Sequence, residues 1–206
     1  SYELPGGVSL DPVAEKEENE DALIEEILET MRGSQRKAYG SNPQLRGAHA
    51  KSHGFIWGTF EVLDIADDEL RVGLFAKPGK YRVCVRTSST PAEVGSDASP
   101  NVRGIALKVL GVPGKKLLAS GPKGDEQDFL MITASHVGFG TVKSFRDFAV
   151  ASAEGHAATW FVSWDGLKKL FITAETVHRH DNVLGQHFFS TVPYRLGSEC
   201  VKYHLK

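Results

Sequence analysis

The pattern of apolar and polar positions divides the chain into a helical opening, a run of strands and a mixed C-terminal third. From Asp21, the residues Ile24, Ile27, Leu28 and Met31 recur at helical spacing with carboxylates opposite, and Gly33 is the expected stop. Before them Glu15, Glu17, Glu18 and Glu20 gather where negative charge suits the helix dipole. Residues 1–20, with Pro5-Gly6-Gly7 and Pro12, read as an extended N-terminal arm, and residues 21–206 as one further unit. Ser34 to Leu45 is polar and basic and reads as a connector.

Strand signals follow. Phe55–Leu63 is the first, and Asp64–Leu70 reads as a loop with a short helical turn. Lys77-Pro78-Gly79-Lys80 marks a turn before the alternating run Tyr81–Ser88. Ser89 to Asn101 is a long loop, Arg103–Leu110 a third strand and Asp128–Thr133 a fourth. Val142–Ala153 has helical period, and Trp164–Phe171 suggests a second short helix. Gln186–Thr191 and Ser198–Leu205 read as two extended pieces, the last without an obvious neighbour. Four adjacent strands, then helices, then a return to strand is an α+β plan built on an antiparallel sheet or barrel.

Composition narrows the function classes. The chain has 206 residues, 41% of them hydrophobic and 24% charged, as in an ordinary globular domain with a real core. A net charge of −2 supplies no field that would draw it to nucleic acid or an anionic membrane. Two cysteines, Cys84 and Cys200, make no disulfide framework and suit a reducing compartment. With no secretory leader pattern and no membrane-length apolar run, a cytoplasmic location is the expectation. The start at Ser1 and the end inside an apparent strand suggest that one or both ends are not natural termini.

The familiar motifs GxGxxG, P-loop, CxxC, HExxH and GxSxG are absent. His178-Arg179-His180-Asp181 carries ligand types but reads as loop, and Trp160, Phe161 and Trp164 read as core. One constellation stands out: Arg46 and His49, three apart before the first strand, with Arg86 and Ser88 at the end of the second. Two guanidiniums can grip the carboxylates of an anionic cofactor through charge-assisted, often bidentate bonds. His49 would be a base beside that cofactor, and Ser88 a hydroxyl able to fix its tautomer.

The run Arg46-x-x-His49-Ala50-Lys51-Ser52, followed by Gly58-Thr59-Phe60-Glu61-Val62, resembles the active-site strand of haem catalases. Val85-Arg86-Thr87-Ser88-Ser89 and Asp97 through Arg103-Gly104-Ile105-Ala106-Leu107-Lys108 are similar to that family's next two segments. Gly73–Gly79, Lys108–Val112, Gln127–Leu130, Pro193–Gly197 and Val201–Tyr203 resemble more closely its smaller catalase-like haem peroxidases. The resemblance implies an antiparallel β-barrel with flanking helices, of which residues 21–206 are the N-terminal portion. It also implies a b-type haem, with His49 and Ser88 catalytic and Arg46, Arg86 and His49 at the cofactor. The implied activity is peroxidase-like or catalase-like reduction of hydrogen peroxide or organic hydroperoxides. Isomerisation or dehydration of fatty-acid hydroperoxides, as in the family's allene oxide synthases, is the alternative.

The chain departs from the family pattern at two places. True catalases carry an asparagine at the start of the fourth strand, where this chain has Glu126-Gln127, so the oxygen-evolving step is in doubt and peroxidase chemistry gains. The family's proximal tyrosine lies further downstream, and none of Tyr39, Tyr81, Tyr194 or Tyr203 stands in its R-x-x-x-Y context. The barrel is therefore expected to be incomplete at its C-terminal side. Either a complementary segment or a homo-oligomer would close it, or the chain would be a haem-free, inactive half-barrel.

Overall fold

A computed structural model describes residues 17–40, 46–91, 94–114, 125–135, 139–156 and 182–206. Helix α1 (Glu20–Tyr39) precedes four long strands, β1 (Ser52–Val62), β2 (Gly79–Ser89), β3 (Arg103–Leu110) and β4 (Glu126–Ile132). Helix α2 (Val142–Ala153) follows, and then β5 (Phe188–Ser190), β6 (Tyr194–Leu196), β7 (Glu199–Val201) and β8 (His204–Leu205). Among the described residues, strands in the order β1-β2-β3-β4-β5-β8 form one antiparallel sheet curled into a half-barrel, while β6 and β7 make a separate hairpin. The architecture is α+β. No described helix is long and apolar enough to cross a membrane.

Helix α1 does not stop at Gly33, and its last turns take up residues expected to be connector. One internal glycine costs only about 1 kcal/mol, and two features outweigh it. Arg36 and Lys37 place positive charge in the last turn, where the dipole favours it. The chain also returns along the helix, since a Cβ on Gly47 would lie 3.5 Å from Met31 O and 3.7 Å from Gln35 Cβ. The true stop is Gly40, whose positive φ of 61° is readily adopted by glycine and which donates its N–H to Arg36 O at 2.8 Å. Helix α2 packs against α1. The Glu17 carboxylate caps it by accepting from the backbone N–H groups of Val142 and Lys143.

Paired residues of neighbouring antiparallel strands share a face, so the register divides the sheet into two sides. One side carries the core: Val62, Val83, Ile105, Leu107, Val109, Phe129, Met131 and Phe188, with Leu74 and Val112 from the loops. Phe129 sits at its centre, stacked on Phe60 at 5.9 Å and edge-on to Tyr203 at 4.9 Å. The other side carries the row Ser88–Gly104–Ile132 and, one step along, Phe55–Arg86–Ala106–Leu130. Phe55 and Leu130 are more than half exposed there.

Strand β3 and helix α2 have the expected bounds, and β1, β2 and β4 differ from expectation only at their ends. The C-terminal piece Ser198–Leu205 is not one strand. Gly197, at φ 62°, turns the chain so that Glu199–Val201 pairs back on Tyr194–Leu196. His204–Leu205 pairs with Phe188–Phe189, giving the last piece the neighbour that the sequence pattern did not reveal. The expected helix Trp164–Phe171, the His178–Asp181 run, and Trp160 and Phe161 lie outside the described residues.

Candidate functional site

Arg46, His49, Arg86 and Ser88 come together at the end of the sheet where β1 begins and β2 ends. His49 Nδ1 lies 2.9 Å from Ser88 Oγ. The imidazole covers Gly104 of β3, the strand partner of Ser88, so closely that a Cβ on Gly104 would lie 2.6 Å from Cε1 and 2.8 Å from Nδ1. Glycine at this position is therefore the space the histidine ring occupies. The ring's orientation is also set from the backbone. His49 has φ 52°, a left-handed conformation that costs a non-glycine residue of order 1 kcal/mol or more. Its N–H donates to Thr90 O at 3.0 Å, and its carbonyl accepts from Arg86 Nη2 at 2.7 Å.

The Ser88 hydroxyl also reaches Gly104 O at 3.5 Å. Turned that way, it donates to the carbonyl and its oxygen accepts from Nδ1–H of His49. That tautomer leaves the Nε2 lone pair as the basic position. Burial, then the positive charges of Arg86 and Arg46, hold the His49 imidazole below its usual range, so it is neutral at pH 7. Burial and Arg46 likewise lower the Arg86 guanidinium from its ordinary value. Neither arginine has a carboxylate partner among the described residues. Two guanidiniums without a carboxylate partner among the described residues, close to an imidazole, are groups whose chemistry suits an anion.

Glu126 and Gln127, which stand where the family's asparagine is expected, lie at the far end of β4, opposite Leu110 and Val109. The β4 residue paired with Gly104 is Ile132, half-buried and six positions away (132 − 126 = 6), or roughly 20 Å along the strand. Glu126 and Asp128 instead hold Lys108, each at 2.8 Å.

A second cluster, on the opposite face of β2, escaped the sequence reading. His53 Nε2 lies 2.7 Å from Ser89 Oγ, and its Nδ1 lies 3.2 Å from Asp97 Oδ1. Arg103 Nη1 donates to Ser89 Oγ and, at 2.9 Å, to Asn101 Oδ1; Nη2 donates to Asp97 O at 2.7 Å. Lys51 Nζ pairs with Asp97 at 2.8 Å. The signal lay in the spacing: His49 and His53 flank the strand's mouth while Ser88 and Ser89 point to opposite faces of one strand.

The haem implied by the resemblance can be tested against these residues. Arg46 and Arg86 suit its propionates, and Phe55 and Leu130 offer exposed apolar surface on the same face for its ring. An axial oxygen ligand is another matter. Tyr81, Tyr194 and Tyr203 pack in or against the aromatic core on the other side, and burial pushes the phenols of Tyr194 and Tyr203 up rather than towards tyrosinate. Tyr39 ends α1. The described residues therefore fit the anion-holding and proton-handling side of such a cofactor and supply no evident ligand for its iron. Among them, no group of three or more His, Cys, Asp or Glu converges on a metal-sized site. No protein-family model matches the chain and a search of curated proteins returns no match, so the resemblance rests on the motif residues alone.

Proposed function

We propose that this chain forms the proton-handling side of a haem pocket that reduces hydrogen peroxide or organic hydroperoxides, with His49 as the base. One arrangement carries the reading: His49, oriented by Ser88 over Gly104 and held below its usual range by burial, stands beside two guanidiniums that have no carboxylate partner among the described residues. Arg46 and Arg86 would hold the propionates. Haem, when bound, would supply the iron at which a peroxide O–O bond is cleaved heterolytically. With the Ser88 oxygen accepting from Nδ1–H, His49 Nε2 would take the proton from one peroxide oxygen and return it to the other. Ile132, apolar and on the same row, keeps that end of the pocket poor in competing hydrogen-bond partners.

Among the described residues strand β1 is the sheet's edge, and Phe55, Ile56 and Trp57 along it are 62%, 43% and 55% exposed. Such an edge fits a complementary strand from a further segment or a second copy, which could also supply the iron ligand not found among the described residues. The second reading, a half-barrel that holds no haem, is favoured by the placement of the tyrosines in the core. Titrating haem into the chain separates the two. The proposal expects retained haem, weakened when Arg46 and Arg86 are both changed to Gln. Identical haem retention by the wild type and the double variant would remove the arginines from their role, and none by either would favour the second reading.

A further inference from the structure

We propose that His53, with Ser89, Arg103 and Asp97, is a positioning assembly that holds His49 in its working orientation. The inference rests on His49 being the base. Segment 49–53 lies along residues 88–90 of β2 and the following loop: His49 N–H donates to Thr90 O at 3.0 Å, and Ser89 N–H donates to Lys51 O at 3.1 Å. Each face of β2 then ties the segment down once. On one face Ser88 holds His49, and on the other Ser89 holds His53.

His53 is the extra residue of a β-bulge. Ser52 pairs with Ser88 and Gly54 with Thr87, so β1 advances two residues where β2 advances one. A bulge re-aims the side chains around it, and next to a functional site that is its usual use. Without a restraint at the inserted residue, the segment could slip by one position, which would carry each side chain to the opposite face. Ser89 provides that restraint only because it is itself immobilised. It is 4% exposed, and Arg103, 1% exposed, donates to its oxygen while bonding Asn101 and the Asp97 carbonyl. Asp97 and Lys51 close the assembly on the loop side.

Ser89, His53 and Asp97 also have the connectivity of a hydrolytic triad, with 2.7 Å and 3.2 Å contacts in the expected order. Burial rules out that use. The oxygen of a serine that is only 4% exposed, already bonded to a guanidinium, cannot reach a carbonyl carbon. The assembly positions; it does not attack.

The test reads His49 directly, with no cofactor present. In the full chain labelled with ¹⁵N-histidine, His49 is assigned by its loss in His49→Gln and its two ring nitrogens are followed at pH 7.5. The wild type should show the two well-separated resonances of one neutral tautomer. In Ser89→Ala and His53→Ala they should converge towards an averaged value as the ring loses its fixed setting, and His53→Gln, whose amide oxygen can still accept from the Ser89 hydroxyl, should restore part of the separation. His204→Gln, at the last strand of the sheet, should leave them unchanged. Unaltered His49 resonances in folded Ser89→Ala would overturn the proposal, as would an equal change in His204→Gln. If His53→Ala does not fold, Ser89→Ala, the loss of a single oxygen, decides. Where the wild type retains haem, turnover per haem should also fall about 10–100-fold in Ser89→Ala at constant haem content. A chain retaining no haem would sink the function proposed above and leave the nitrogen resonances to decide this one.

Discussion

Gly104→Ala isolates the geometry of the site in a single methyl group. The glycine is buried in mid-sheet, and its backbone is outside the left-handed region, so alanine can adopt the same conformation. The new Cβ would lie 2.6 Å from His49 Cε1, 2.8 Å from its Nδ1 and 3.0 Å from Ser88 Oγ. Ordinary carbon contacts lie at about 3.5–4.0 Å, so the ring must move by roughly an ångström. The backbone of β3 is held on both sides by β2 and β4, whereas the imidazole is the end of a side chain; the ring gives way. Its displacement breaks the Ser88 hydrogen bond, worth about 0.5–1.5 kcal/mol, and overpacking adds about 1–3 kcal/mol. Replacing glycine in a strand returns about 0.5–1 kcal/mol. Net destabilisation should therefore be modest, about 1–3 kcal/mol by urea unfolding, while His49 loses its fixed tautomer and any peroxide turnover falls about 100-fold. Wild-type stability together with unchanged His49 ring resonances in Gly104→Ala would refute the placement of the histidine over this glycine.

Three further outcomes follow from the same geometry. Ser88→Ala should keep the fold and lower turnover per haem by up to about tenfold, the equivalent of one neutral hydrogen bond; an equal rate would remove Ser88 from the site. Arg86→Gln removes a positive charge that depresses His49, so the histidine's pKa should rise and the acidic limb of a pH–rate profile should move to higher pH; a downward shift would contradict the electrostatics. His49 and His53 both titrate below their usual range in the folded chain, mainly through burial. The unfolded chain therefore binds more protons as pH falls below about 6.5, and stability measured by denaturant unfolding should decline there and level off beneath the folded values. A stability that rises on acidification through that window would show the histidines to be charged in the native state.

The sequence made the strong periodic elements plain and left the weak ones dark. Arg103–Leu110 and Val142–Ala153 were legible at their true bounds because their patterns run for two turns or more, or several strand repeats. Gly33 misled because local propensity was read without the returning segment at Gly47 that favours a longer helix. Strands of two or three residues, such as β6 and β8, are set by a Gly197 turn and by partners distant in the chain, which no local period records. The site divided in the same way. Arg46, His49, Arg86 and Ser88 stand out in the sequence because each sits at a strand's mouth or end, and the fold brings them together. His53 was missed because its role depends on a bulge and on Arg103, fifty residues away (103 − 53 = 50), and register is a property of the folded sheet.

In the proposed pocket His49 moves protons for peroxide bound beside it. The direct measurement is peroxide consumption per retained haem, quantified as pyridine haemochrome, in the wild-type chain and in His49→Gln with any complementary segment supplied equally to both. The expected result is unchanged haem content and a loss of turnover of at least about 100-fold, the usual scale of a general base. Equal turnover per haem in the two proteins would contradict it.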